Sequence, residues 1–78
     1  MESLTIEPVQ SRMARAALAL GVRELAALAD VSPNTIARFE RGEGMHRRTV
    51  AAIRLALEQG GAEFITTDAG KIGVVTTL

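Results

Sequence analysis

The chain has 78 residues, with nine basic and nine acidic side chains, a single histidine and no cysteine. This length fits one small domain, and the composition excludes a disulfide framework, a thiolate metal site and a site built on two histidines, so we expect neither metal nor cofactor. No apolar run reaches the length of a membrane span and no signal-peptide pattern opens the chain, which predicts a cytoplasmic protein without a membrane partner.

The first predicted helix begins at Pro8, because proline is favoured at the first helical position, and it runs to about Leu20, before Gly21. Residues 1–7 are predicted to be loose or weakly extended. Helical spacing predicts that this helix faces the core through Val9, Met13, Ala17 and Leu20.

The stretch LAALADVSPNTIARFERG, residues 25–42, predicts two short helices separated by a tight turn. Helix 2 covers residues 22–29, and its apolar face is formed by Leu25, Ala26, Leu28 and Ala29. The turn ends at Ser32, a favoured N-cap residue, and helix 3 then runs from Pro33 to about Arg41, before Gly42.

Helix 3 has two different faces. Ile36 and Phe39 are one turn apart and are predicted to point inward. Asn34, Thr35 and Arg38 share another face and can hydrogen-bond to base edges or phosphates. A small-residue helix, a sharp turn and a short helix with a polar face are typical of a helix-turn-helix DNA reader.

The C-terminal third predicts a longer helix and a β-hairpin. Helix 4 is expected from Arg47 to about Gln59, with an inner stripe of Val50, Ile53 and Leu57. Two alternating, β-branched segments, 62–66 and 72–76, flank turn residues and predict the hairpin. Two strands alone are marginal in water, so the hairpin must pack on the helices, as a cover over helix 4, or join another chain in a dimer sheet.

These elements divide the chain into a helix-turn-helix domain over residues 8–60 and a hairpin over residues 61–78, which is a possible dimerisation element. The charge is unevenly distributed between them. Eight of the nine basic residues are arginines between positions 12 and 54, where there are four acids, so this window carries a net charge of +4. A locally basic face suits a polyanion, and arginine suits bidentate contacts with phosphate and guanine.

The residues QSRMARAALALGVRELAALADVSPNTIARFERGEG resemble the lambda-repressor-like helix-turn-helix regulators, the Cro and XRE group of phage and bacterial repressors. The most specific piece is ELAALADVSPNTIARFERG, which matches the family pattern of Leu-Ala, a turn, Val-Ser, then Ile and Glu-x-Gly. The resemblance implies a mostly α fold of four to five helices. It also implies a bacterial or phage-encoded homodimer that binds double-stranded operator DNA and is nucleoid-associated when bound.

The resemblance also assigns roles to individual residues. Helix 3 would enter the major groove, with base-reading positions at Pro33, Asn34, Thr35 and Arg38. The expected phosphate-binding residues are Arg23, Ser32, Arg41, Arg47 and Arg48. Arg23 stands beside Val22, where the family often has a glutamine that contacts phosphate. Arg15 and Glu40 match an ion pair that joins helix 1 to the end of helix 3.

Each candidate contact has an ordinary alternative. Arg38 could bind a guanine or be a solvated helix arginine, and Asn34 could read an adenine or bind a phosphate. Thr35 could touch a thymine methyl group or solvate the helix end. His46 is expected to cap or solvate helix 4 and has no catalytic role.

An enzyme is not expected, because the single histidine stands on a glycine-rich connector without an evident acidic or hydroxyl partner. We therefore predict a sequence-specific transcriptional regulator, and a repressor rather than an activator. The alternative is a protein-interaction module, such as an antitoxin or a regulator of another DNA-binding protein, with the C-terminal hairpin as its partner surface.

Overall fold

Four helices followed by a two-stranded antiparallel hairpin make up the computed structural model, which describes residues 5–77. The elements are α1 Pro8–Leu18, α2 Val22–Ala29, α3 Pro33–Glu40, α4 Arg47–Gln59, β1 Ala62–Thr66 and β2 Ile72–Thr76. The prediction of a mostly α chain with a short C-terminal β-hairpin is confirmed. Within residues 5–77 there are four helices, the lower of the two expected numbers.

The core lies where α2, α3 and α4 meet. Leu25, Ile36, Ile53 and Leu57 are fully buried there, and complete burial of such a side chain stabilises the fold by roughly 1.5–3 kcal/mol. The predicted inner stripe of α4 is confirmed, as is the inward direction of Phe39. The face predicted for α2 is wrong at one position, because Leu28 is 59% exposed.

The face that α1 buries differs from the prediction. Val9, Met13 and Ala17 are exposed, and Leu20 lies beyond the helix and is half-buried. The buried residues are instead Gln10, Ser11 and Ala14. The reason is that both polar side chains have partners in the folded chain: Gln10 Nε2 donates to the carbonyl of Gly73 at 3.0 Å, and Ser11 Oγ donates to Glu40 Oε2 at 2.7 Å.

The end of α1 also differs, because the helix stops at Leu18 rather than near Leu20. Ala19 turns into the left-handed region with φ 57° and ψ 38°, and the N–H of Leu20 donates back to the carbonyl of Arg15 at 2.8 Å. This backward bond is typical of a helix C-terminus closed by a left-handed residue, a position usually held by glycine.

The segment before α1 contributes to the domain. The predicted loose or extended stretch 1–7 lies partly outside the described residues, which begin at Thr5. Ile6 is buried at 6% exposure and belongs to the core, and the N–H of Glu7 donates to Gln10 Oε1 at 2.9 Å. The Gln10 side chain therefore hydrogen-bonds both to the start of α1 and to β2.

The hairpin lies against α1 and α4 of its own chain. Phe64 pairs with Val74 and Ala62 with Thr76, and these four side chains face the helices. The Arg54 guanidinium lies 5.4 Å from the centre of the Phe64 ring, a cation–π contact between α4 and β1. The opposite face of the hairpin exposes Ile65 and Val75. The hairpin thus covers α1 as well as the predicted α4.

The left-handed residue Ala19 generates a stability prediction. Ala19→Gly should raise the free energy of unfolding by about 0.5–1 kcal/mol, because glycine adopts this conformation without the Cβ clash. Ala17→Gly, the same substitution on the exposed face of the helix, should lower it by about 0.5–1 kcal/mol. Denaturant unfolding of both variants measures the change in the free energy of unfolding. A loss of stability in Ala19→Gly would contradict this account of the turn.

Candidate nucleic-acid interface

A three-residue turn connects α2 to α3. Asp30 lies in the left-handed region with φ 58°, a conformation that aspartate tolerates better than most residues, and the N–H of Val31 donates to the carbonyl of Ala26 at 3.0 Å. Ser32 then caps α3, because its Oγ accepts from the N–H of Thr35 at 3.1 Å. The predicted N-cap is therefore present, and Pro33 occupies the first helical position.

The eight residues of α3 separate into an inward and an outward set. Ile36 and Phe39 are buried at 0% and 5% exposure, which fixes the rotation of the helix. Pro33, Asn34 and Arg38 are exposed. Three of the four candidate base-reading residues thus share the outer surface of one short helix.

The fourth candidate, Thr35, is half-buried and has a local partner. Its Oγ1 lies 2.9 Å from Ser32 Oγ, so the two hydroxyl groups share a hydrogen bond at the start of α3. The hydroxyl of Ser32 is therefore already used twice, in this bond and in the cap. A phosphate at Ser32 would compete with both local interactions.

Two of the candidate arginines are joined by one carboxylate. Glu43 Oε1 accepts from Arg38 Nε at 2.9 Å, and Glu43 Oε2 accepts from Arg41 Nη2 at 2.8 Å. Hydrogen bonds from Arg41 and Arg38 lower the pKa of the Glu43 carboxyl below its usual range. Arg41 itself is the C-cap of α3 rather than its last helical residue, and Gly42 follows with φ 93°.

The remaining candidate arginines stand at helix N-termini. Arg23 is the second residue of α2, and Arg47 and Arg48 are the first two of α4. All three are exposed, and across residues 5–77 the structure gives their side chains no ion pair. His46 caps α4 through Nδ1, which accepts from the N–H of Arg48 at 3.2 Å.

A buried carboxylate holds the end of α3 against α1. Glu40 accepts from Arg15 Nε at 2.9 Å, from Arg15 Nη2 at 2.6 Å and from Ser11 Oγ at 2.7 Å, and its backbone carbonyl accepts from Arg12 Nη1. Burial alone would raise the pKa of the Glu40 carboxyl, but the hydrogen bonds from Arg15 and Ser11 and the charges of Arg15 and Arg12 outweigh it and lower the pKa. The Glu40 hydrogen bond in turn raises the pKa of Arg15.

Sequence reasoning missed Ser11 and Arg12 as partners of Glu40, and it counted Glu43 only as one of four acids. Ser11 carries no signal in a hydrophobic pattern. Glu43 is five residues from Arg38, a separation that does not place two side chains together on a helix. It reaches Arg38 only because the chain turns at Gly42.

Comparison of the chain with protein-family models and with curated protein sequences gives no match. Within the described part of the chain, no helix is long and apolar enough to span a lipid bilayer.

The Glu40 cluster predicts both a loss of stability and its pH dependence. Because the folded-state pKa is lowered, ionised Glu40 stabilises the protein above pH 4.5, the ordinary glutamate value, and this contribution disappears as pH falls from there through the lower folded value. At neutral pH, Glu40→Gln should reduce the free energy of unfolding by about 3 kcal/mol, because Arg15 is left without its charge partner.

Urea unfolding between pH 7 and pH 3 measures both effects. Glu43 titrates in the same direction, so Glu40→Gln should flatten the acid dependence without removing it. Glu58→Gln, which removes an exposed partner of Arg54, is the matched control and should leave the acid dependence close to that of the parent. A Glu40→Gln profile parallel to the parent would contradict this assignment.

Proposed function

We propose that this chain is a sequence-specific, double-stranded DNA-binding transcriptional repressor of the helix-turn-helix type. The observation that carries the proposal is the arrangement of α3. This short helix follows a three-residue turn, buries Ile36 and Phe39, and directs Asn34 and Arg38 to solvent. A recognition helix needs these properties, since its inner side must be anchored while polar side chains reach base edges.

We assign the base-reading roles from the polar and apolar groups that each side chain can still offer to a base. Arg38 uses Nε for Glu43, which leaves its two terminal nitrogens to bind guanine O6 and N7. Asn34 is exposed and can read an adenine. Because the Thr35 hydroxyl is already bonded to Ser32, we assign its methyl group to a thymine methyl contact.

We assign the phosphate contacts to exposed arginines that have no acidic partner within residues 5–77. Arg47 and Arg48 stand in the first turn of α4, where the positive end of the helix dipole also favours an anion, and Arg23 stands in the first turn of α2. Such contacts supply most of the affinity for a duplex and make it sensitive to salt.

Homodimer formation is part of the proposal, because repressors of this type read two half-sites. The support is a set of exposed apolar side chains, Val9 and Met13 on α1 and Ile65 and Val75 on the outer face of the hairpin, each 38–44% exposed. The exposed residues of the hairpin equally favour the alternative function, a protein-interaction module that binds a different protein through the hairpin.

Selection of duplex fragments tests the proposal against this alternative. The protein is mixed with random genomic duplexes at two salt concentrations, and the retained fragments are sequenced. We expect an enriched, two-fold symmetric motif and an affinity that falls steeply with salt. No retention at low salt would overturn the DNA-binding proposal and favour the interaction module, which a stable hetero-complex in pull-down would then support.

Arg38 and Arg47 are predicted to affect binding in different ways. Arg38→Ala should weaken binding to the enriched motif by about 1–3 kcal/mol and relax the preference at one base pair. Arg47→Ala should weaken binding to all duplexes similarly and reduce the salt slope by about one unit. Titration of both variants on motif and random duplexes at several salt concentrations tests these different roles. If each variant weakened binding to motif and random duplexes equally, the proposed difference between Arg38 and Arg47 would be wrong.

The hairpin surface gives a separate prediction on assembly. Ile65→Lys places a charge on the outer apolar surface and should shift the dimer toward monomer, since like charges would face each other across a two-fold axis. Leu55→Lys, at a 55% exposed position on α4, is the control and should leave the dimer intact. Sedimentation over a concentration series measures both, and dissociation by Leu55→Lys alone would place the interface on α4.

A further inference from the structure

Glu43 joins the two arginines at the end of α3. Its Oε1 accepts from Arg38 Nε at 2.9 Å, while its Oε2 accepts from Arg41 Nη2 at 2.8 Å and from Arg41 Nε at 3.3 Å. All three side chains are strongly exposed, with exposed fractions of 48% for Arg38, 61% for Arg41 and 43% for Glu43. Exposed ion pairs contribute little to stability, so the main effect of these contacts is on the orientation and availability of the two arginines.

The two arginines are held in different ways. Arg38 is gripped only at Nε, and within residues 5–77 its terminal nitrogens have no other partner. This contact restricts the orientation of the guanidinium while its outer edge, the part that reads guanine, stays open. Arg41 gives both Nε and Nη2 to one carboxylate oxygen, so a phosphate can reach that side of Arg41 only by displacing Glu43.

We infer that Glu43 is a positioning and specificity-determining residue of the DNA interface: it orients Arg38 for base reading and withholds Arg41 from phosphates on random sequence. This inference rests on the proposed function. The acid lowers non-specific affinity because its charge repels the backbone and occupies Arg41. Affinity for the correct site is kept because Arg38 enters the groove already oriented, with less side-chain freedom to lose on binding.

The test compares Glu43→Gln with the parent protein on the enriched motif and on random duplexes at several salt concentrations. The glutamine keeps the size of the side chain and removes its charge. We expect affinity for random duplexes to rise about three- to tenfold and the salt slope to steepen by about 0.9, as one more phosphate is neutralised. Affinity for the motif should stay the same or fall up to about threefold, so that the ratio of motif to random affinity drops by about tenfold.

Glu58→Gln is the matched control. Glu58 also pairs with an arginine, through Arg54 Nε at 3.0 Å, and is 39% exposed. It lies eleven residues after Arg47 on α4, about 16 Å along the helix axis. Its substitution changes the net charge equally, and it should leave the ratio of motif to random affinity unchanged.

The outcomes separate this inference from the proposed function. If the parent and Glu43→Gln both fail to bind duplexes at low salt while thermal unfolding shows that they are folded, the proposed function fails and this inference fails with it. If the parent binds a motif but Glu43→Gln leaves the ratio of affinities unchanged, only the role of Glu43 is overturned. Glu43→Ala, which removes the acceptor altogether, should lower the ratio at least as far as Glu43→Gln.

Discussion

The position of α3 depends on one buried carboxylate. An isolated helix of eight residues is not stable in water, so α3 takes its orientation from what it packs against. Ile36 and Phe39 hold one side in the core, and Glu40 fastens its last turn to α1 through Arg15 and Ser11. A buried carboxylate without these donors would be unfavourable, so the position of α3 and the contacts of Glu40 with α1 depend on each other.

The contacts of α1 with Glu40 and with β2 also explain why α1 exposes apolar residues. Gln10 and Ser11 are turned inward to β2 and to Glu40, and Arg12 and Arg15 lie on the side that faces α3. With its polar residues directed to these partners, α1 has Val9 and Met13 left for solvent. A helix that normally shows its polar side to water thus presents an apolar one.

Residues that begin and end helices and strands made most of the fold predictable. The predicted bounds of α2, α4 and both strands and the predicted start of α3 agree with the structure, because glycines, Pro33 and the cap residues Ser32 and His46 mark the ends of these elements. Hydrophobic periodicity failed on α1, since it cannot recognise that a glutamine and a serine have partners 63 and 29 residues away. Within the candidate interface, the outward direction of Asn34 and Arg38 was predictable from the inward pair on α3. The contact of Arg38 with Glu43 was not, because a turn rather than a helical spacing creates it.

Two arginines without an ion pair in residues 5–77 stand together at the start of α4. Arg47 and Arg48 open α4, and no acidic residue lies in its first turn. A cation at a helix N-terminus opposes the helix dipole and is unfavourable by about 0.3–1 kcal/mol. A bound phosphate would offset that effect, because its charge would interact favourably with the two guanidinium groups and with the positive end of the helix dipole. The local charge at this helix end therefore agrees with the proposed phosphate contacts, in which a polyanion relieves a charge that is unfavourable in the free protein.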